Sequence, residues 1–135
     1  MNKVMMTSNN PSWETPDWLF DALDNIFNFQ LDAAASEENA KCSPFISQNS
    51  LDCEWNDYYG VAIRRVWLNP PYGREIGKWL AKAKQQSETH GLIVVALIPS
   101  RTDTEWWDKY VRHEAHYCLP GRLVFKGAKS SAPFP

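Results

Sequence analysis

The segment Val66-Trp67-Leu68-Asn69-Pro70-Pro71-Tyr72-Gly73 most narrows the folds open to this chain of 135 residues. Three apolar residues make a short strand. Two consecutive prolines end it, because proline fixes φ and has no amide to continue a ladder. A helical pattern follows, with Ile76, Trp79, Leu80 and Ala83 on one face and Lys78, Lys82 and Lys84 elsewhere on the surface. Leu92 to Ile98 is a second apolar run, rich in β-branched residues, and reads as a buried strand. Strands joined through a helix pair in parallel, so residues 66–98 predict an α/β sheet.

The rest of the chain extends that pattern. Thr15-Pro16-Asp17 announces a first helix: Thr15 suits the N-cap, Pro16 the first helical position, and Asp17 complements the dipole. Leu19, Phe20, Leu23, Ile26 and Phe27 recur at helical spacing. Phe29, Leu31 and Ala33 alternate with Gln30 and Asp32, as in a strand leading into Ala34-Ala35-Ser36. Glu37 to Lys41 reads as a short helix or turn, and residues 43–60 as irregular with room for one short strand. Thr102-x-x-Glu105 has the form of a capping box for a helix carrying Trp106, Trp107, Tyr110 and Val111. His116 to Leu119 and Arg122 to Phe125, joined by Pro120-Gly121, look like the arms of a hairpin. The length fits a single domain over 1–135, with 1–12 expected to be flexible.

Composition removes several classes of function. Hydrophobic residues make up 44% and charged residues 22%, as in ordinary globular proteins. The longest apolar run, Leu92 to Pro99, is far short of the ~20 residues that span a bilayer, so no membrane partner is expected. Met1 to Pro11 lacks the apolar core of a signal peptide. Cys42, Cys53 and Cys118 are odd in number and show no C-x-x-C spacing, which disfavours a disulfide framework or a zinc site and makes the cytoplasm the expected compartment. His113-x-x-His116 offers two possible ligands without a third. Residues 1–60 carry two basic and ten acidic side chains, whereas 61–135 carry twelve basic and six acidic. Either the second half meets a polyanion, or the two halves attract each other. Seven tryptophans are expected mostly in the core, with one or two free to stack on planar ligands.

Asn69-Pro70-Pro71-Tyr72 stands at the carboxyl end of a predicted strand, where open α/β sheets bind ligands. An exocyclic amine on a purine ring is a poor nucleophile, because its lone pair is delocalised into the ring. Acceptors on both its N–H bonds pull it towards a tetrahedral geometry and localise that lone pair. The Asn69 side-chain oxygen can be one acceptor and the Pro70 carbonyl the other. Two prolines hold the backbone ready, and Tyr72 offers a ring face to a flipped base. The bland reading is a rigid turn after a strand. Arg64, Arg65, Arg74 and Arg101 are candidate contacts to DNA phosphates, Arg101 equally to a cofactor; Arg64-Arg65 also fits a solvated loop pair, and Thr102 or Asp103 beside Arg101 equally fits a cap.

The tetrad resembles the catalytic motif of S-adenosylmethionine-dependent amino-methyltransferases. The whole chain resembles the phage and prophage DNA N-6-adenine methyltransferase family. The resemblance runs through Trp13-x-Thr15-Pro16, Leu31 to Ser36 with Asn39 to Cys42, and Val66 to Gly73. It continues through Pro99 to Thr104 with Trp106-Trp107, Gly121-Arg122-Leu123-x-Phe125, and Ala132 to Pro135. It implies a Rossmann-like methyltransferase sheet with helices on both faces, S-adenosylmethionine as cofactor, double-stranded DNA as substrate, no metal, and the cytoplasm of a bacterial host. By the same resemblance, Asn69, Pro70, Pro71 and Tyr72 hold and activate the adenine amine. Asp32 stands where related enzymes meet the methionine ammonium, and Ala34 lies in the cofactor turn. Thr15-Pro16 matches a Thr-Pro element whose hydroxyl meets the methionine carboxylate, so Thr15 has two readings, helix cap and cofactor contact.

Two features depart from the family. Ala34-Ala35-Ser36 replaces the usual glycine-rich turn, although small residues still permit close backbone approach. Relatives continue beyond Ala-Pro-Phe-Pro with a hydrophobic strand, so the last C-terminal strand is expected to be missing and a sheet edge or core face left uncovered. That expectation leaves an alternative, a non-catalytic prophage remnant that binds DNA or cofactor. A further alternative, methylation of protein glutamine by the same tetrad, is opposed by the flanking motifs and the basic second half. Neither the oligomeric state nor a DNA recognition sequence is readable from the residues.

Overall fold

A computed structural model describes residues 13–135, and the flexibility expected of 1–12 lies outside them. The first helix, α1, spans Asp17–Phe27 and buries Leu19 and Phe20. Asn28 ends it in the left-handed region at φ 54°, and the Asp24 carboxylate receives the Phe29 amide at 2.8 Å. The N-cap is Pro16, in extended conformation and without a side-chain cap bond; its carbonyl accepts from the amides of Leu19 and Phe20. Thr15 is therefore not the cap, and Pro16 precedes the first helical position instead of filling it.

Three parallel strands follow: β1 (Leu31–Asp32), β4 (Arg65–Leu68) and β5 (Ile93–Ala96). They lie in the order β1-β4-β5, with Leu31 opposite Val66 and Leu68 opposite Ala96. Alternation along β4 divides its side chains between two faces. Val66 and Leu68 pack with Ala83 of α2 (Ile76–His90), while Trp67 packs with Phe20 of α1 and with Phe29. Helices thus cover both faces of a small parallel sheet. Ile76, Leu80 and Ala83 form the buried face of α2, as their spacing predicts. Gly91 closes α2 at φ 68°, a conformation glycine adopts without strain.

Several elements differ from expectation. β5 is not a buried strand: central β4 is paired on both sides, β5 lies at an edge of the described sheet, and Ile93 is 51% exposed. Residues 43–60 contain a 3-10 turn at Ser50–Asp52 and one of two short antiparallel strands, β2 (Asp57–Tyr58), which pairs with β3 (Val61–Ala62). Their turn uses Tyr59 at φ 51° and Gly60 at φ 82°. Two positive φ values suit a two-residue hairpin, but tyrosine in the first of them hides the usual signal. The last helix, α3 (Glu105–Tyr110), is capped by Thr104, whose hydroxyl accepts from the Trp107 amide at 3.2 Å; Thr102 is not the cap. No strand forms over 112–135, so the expected hairpin is absent. Phe125, Ala132 and Phe134 instead bury themselves against Tyr72, Trp107 and Val111, and the Pro135 carbonyl accepts from the Ser100 amide. Trp55, Trp67 and Trp107 are core residues, whereas Trp18 is exposed. Among the described residues, no helix is long and apolar enough to cross a membrane.

Candidate active site

A cavity of about 390 Å³ opens where β1 and β4 end. Its walls come from Trp13 to Thr15, Asp32, Ala34 to Ser36, the loop 46–52, Asn69 to Tyr72, and Trp79. The volume falls within the ~300–1,000 Å³ range of small-molecule sites.

Asn69 is the best-held side chain of the site. Its Nδ2 donates to the Trp13 carbonyl at 2.9 Å and to the Thr15 hydroxyl at 3.0 Å. A main-chain carbonyl can only accept, so the amide orientation is unambiguous and Oδ1 is left as the acceptor. The Tyr72 hydroxyl lies 2.9 Å from Oδ1 and 3.1 Å from the Leu97 carbonyl. Its single proton serves one of them at a time, so Oδ1 keeps capacity for a further donor. Next along the chain, the Pro70 carbonyl takes no hydrogen bond from the described residues.

Tyr72 is tied into the tail of the chain. Its ring is 4% exposed and packs edge-to-face with Phe125 (6.2 Å) and Phe134 (5.4 Å). These contacts fix the ring in the cavity wall, with its hydroxyl turned to Asn69. Burial pushes the phenol well above its ordinary pKa, which keeps the O–H as a donor. Pro71 is exposed at the cavity rim.

Asp32 is 2% exposed; its carboxylate accepts from the amides of Ala34 (3.2 Å) and Lys41 (2.9 Å). Burial raises its pKa from 3.8 to about 6, and the two amides offset only part of that rise. Ala34 lines the cavity beside it, whereas Pro16, the buried N-cap of α1, does not. The Lys41 ammonium pairs with Glu14 (3.5 Å) and Asp17 (3.0 Å), and Lys126 reaches the same two carboxylates. This cluster ties the 13–17 segment to the turn after β1 and to the tail. The Trp13 ring is held by Phe125 and Phe134, and its buried indole N–H has no partner among the described residues.

The four arginines separate. Arg74 and Arg101 follow the carboxyl ends of β4 and β5, on the cavity side, and both are exposed. Arg64 and Arg65 lie at the opposite end of β4; at ~3.3 Å per residue, Arg65 is ~13 Å along the strand from Asn69. The Arg65 guanidinium donates to the Asn28 carbonyl. The fold therefore does not bring this pair to the cavity.

The sequence profile described as DNA N-6-adenine-methyltransferase (Dam) matches residues 3–133. The chain belongs to the DNA N-6-adenine-methyltransferase family. It is 35% identical over 133 residues to the "DNA N-6-adenine-methyltransferase" of Haemophilus phage HP1 (strain HP1c1), across 90% of this chain and 73% of the phage protein. It is 38% identical over 132 residues to the protein of the same name from Escherichia phage T1, across 84% of this chain and 52% of that protein. The chain thus spans about half the length of the phage T1 relative. No solved structure matches it.

In this member of the DNA N-6-adenine-methyltransferase family, Trp13, Lys41, Trp79 and the loop 46–52 line the cavity without having been expected there from the residues. The first two lie inside the stretches that carry the family resemblance, so a signal was present. The loop offered none, because Ser47-Gln48-Asn49 reads like any polar connection.

Proposed function

We propose that this chain transfers a methyl group from S-adenosylmethionine to N6 of adenine in DNA, in the cavity at the ends of β1 and β4. The observation that supports this most directly is the fixed Asn69 amide, whose Oδ1 stands one residue from the uncommitted Pro70 carbonyl. Two such acceptors draw on the two N–H bonds of the amine and localise its lone pair. Asn69 Oδ1 and the Pro70 carbonyl would hold the amine nitrogen for in-line attack on the cofactor's methyl carbon, whose bond to sulfur would break, and the surplus N–H proton would pass to water. Neither acceptor is basic enough to hold that proton, so their work is placement and polarisation.

The cavity residues fit the cofactor. Among the described residues the buried Asp32 carboxylate meets two backbone donors, and it can accept from an ammonium. The Trp13 indole N–H, without a partner among the described residues, can donate to an anionic or ring-nitrogen acceptor. When bound, the cofactor supplies a methyl group already activated on a sulfonium sulfur. The parallel order β1-β4-β5, with helices on both faces and the cavity at the carboxyl ends, supports a Rossmann-like methyltransferase domain. The same reading gives double-stranded DNA as the partner and the cytoplasm of a bacterial host as the setting. A non-catalytic remnant is not favoured, because the tetrad, Asp32 and the Trp13–Thr15 segment meet around one cavity.

Expression in a host lacking adenine methylation, with N6-methyladenine in its DNA read by mass spectrometry, tests the proposal. The wild-type chain is expected to methylate. Asn69→Ala is expected to fold and to lose about 10²–10³ in rate, the size of effect that follows removal of a preorganised polar group facing a transition state. Unmethylated DNA with the wild-type chain, or more than half of its turnover kept by the variant, would overturn the reading.

A further inference from the structure

Thr15 matches a family element whose hydroxyl is expected on the cofactor, yet its surroundings describe another task. The residue is 1% exposed, so it presents almost no surface to anything occupying the cavity. Its hydroxyl oxygen accepts from Asn69 Nδ2 at 3.0 Å, across 54 positions of sequence. The second Nδ2 hydrogen is taken by the Trp13 carbonyl at 2.9 Å. Both hydrogens of the amide are thus committed to one three-residue segment. That segment is braced from behind: the Lys126 amide donates to the Glu14 carbonyl, and the Trp13 ring packs edge-to-face against both Phe125 and Phe134.

We propose that Thr15 is a positioning residue for the reaction, which clamps the Asn69 amide with the Trp13 carbonyl so that Oδ1 is the atom offered to the reacting amine. The consequence is specific. An amide free to rotate by half a turn would present a donor where the amine needs an acceptor, and the amine would then meet N–H against N–H. With one hydrogen anchored on a carbonyl and the other on a hydroxyl, the wrong orientation leaves the Trp13 carbonyl facing an oxygen. The clamp acts on Asn69 and leaves the cofactor to Asp32 and its neighbours. It rests on the methyltransferase reading above, and it makes the helix-cap and cofactor-contact readings of Thr15 unnecessary.

The test compares Thr15→Val, which keeps shape and loses the hydroxyl, with Thr15→Ser, which keeps the hydroxyl. Turnover, S-adenosylmethionine affinity by calorimetry, and hydrogen exchange of the Asn69 side-chain amide by NMR are measured on the full chain. Thr15→Val is expected to lower kcat by about tenfold or more, as misplacement of a reacting group does. Its affinity for S-adenosylmethionine stays within about twofold, because the buried Thr15 presents almost no surface to the cavity. Its Asn69 amide protons exchange at least about tenfold faster than in the wild type. Thr15→Ser restores both kcat and slow exchange. Weakened cofactor binding with kcat retained would show a cofactor contact and overturn the clamp. Equal loss in the valine and serine variants would show a packing role and overturn it too. The exchange measurement needs no activity: protected amide protons in an inactive wild type would remove the methyltransferase reading and leave the clamp standing, and fast exchange in an active wild type would do the reverse.

Discussion

Asp32 is an acid buried beside two amides, and its position sets two dependences on pH. The folded protein binds the carboxyl proton more tightly than the unfolded chain does, because burial raises the pKa from 3.8 to about 6. Its contribution to stability is therefore complete below about pH 4 and is lost as pH rises through about 6, by about 3 kcal/mol for a shift of this size. Asp32→Asn is expected to flatten that slope in thermal melts between pH 4 and pH 7.5; an unchanged slope would show that other groups set it. An ammonium beside the ionised carboxylate favours the charged form. Affinity for S-adenosylmethionine is thus expected to fall about tenfold between pH 7.5 and pH 5, and to lose this dependence in Asp32→Asn. Calorimetry at the two pH values checks it, and a flat affinity would place the ammonium elsewhere. Tyr72 yields a prediction of different character. Its hydroxyl stands between Asn69 Oδ1 and the Leu97 carbonyl, so Tyr72→Phe strips a donor from a buried pair of acceptors. A loss of about 1–3 kcal/mol in stability and a clear fall in turnover are expected. A phenylalanine variant that melts and turns over like the wild type would restore the ring, in place of the hydroxyl, as the functional part.

The tail is the element that ties the site together without contributing an acceptor to it. Residues 112–135 form no strand, yet Phe125 and Phe134 are buried and their rings hold both Trp13 and Tyr72. One aromatic cluster thus backs two of the groups that orient Asn69. Phe134→Ala is expected to cost about 3 kcal/mol or more, as removal of a buried phenylalanine does, and to lower kcat further than a distant core variant of equal stability. Denaturant titration and steady-state kinetics on the two variants check this. A cost below about 1 kcal/mol would mean that the tail is not docked in solution. The cap of α3 joins elements in the same way at smaller scale: Thr104 takes the Trp107 amide and gives its own proton to the Arg101 carbonyl, linking the end of one loop to the start of a helix.

Across the whole molecule, the acidic first half and the basic second half meet each other directly. Lys126 pairs with Glu14 and Asp17, and Lys82 and His90 approach Glu54. Part of the charge asymmetry is therefore satisfied inside the fold. The remainder is sorted by the sheet, which puts Arg74 and Arg101 at the cavity end and Arg64 and Arg65 at the other. Arg74→Ala and Arg101→Ala are expected to weaken DNA binding and to reduce the log–log salt slope by about one for each phosphate no longer neutralised. Arg64→Ala and Arg65→Ala are expected to leave both unchanged. Fluorescence anisotropy over a salt series separates the pairs, and equal effects at both ends would contradict this placement of the DNA face.

Short-range chemistry made the centre of this protein readable from its residues. An apolar strand stopped by two prolines, a helix with one apolar face and a second apolar run dictate a parallel pairing within about thirty residues, and Asn69 to Tyr72 follow the strand by covalent connection alone. Asp32 was legible for the same reason, since it ends the strand that pairs with β4. The Asn69 clamp was not, because it spans 54 and 56 positions and half of it is a main-chain carbonyl, which every residue type carries. Nor was the burial of Tyr72, which depends on rings 53 and 62 positions further on. Arg64 and Arg65 lie near Asn69 in sequence, but an extended strand carries neighbours apart at ~3.3 Å per residue, and only the direction of β4 within the sheet decided which charges face the cavity.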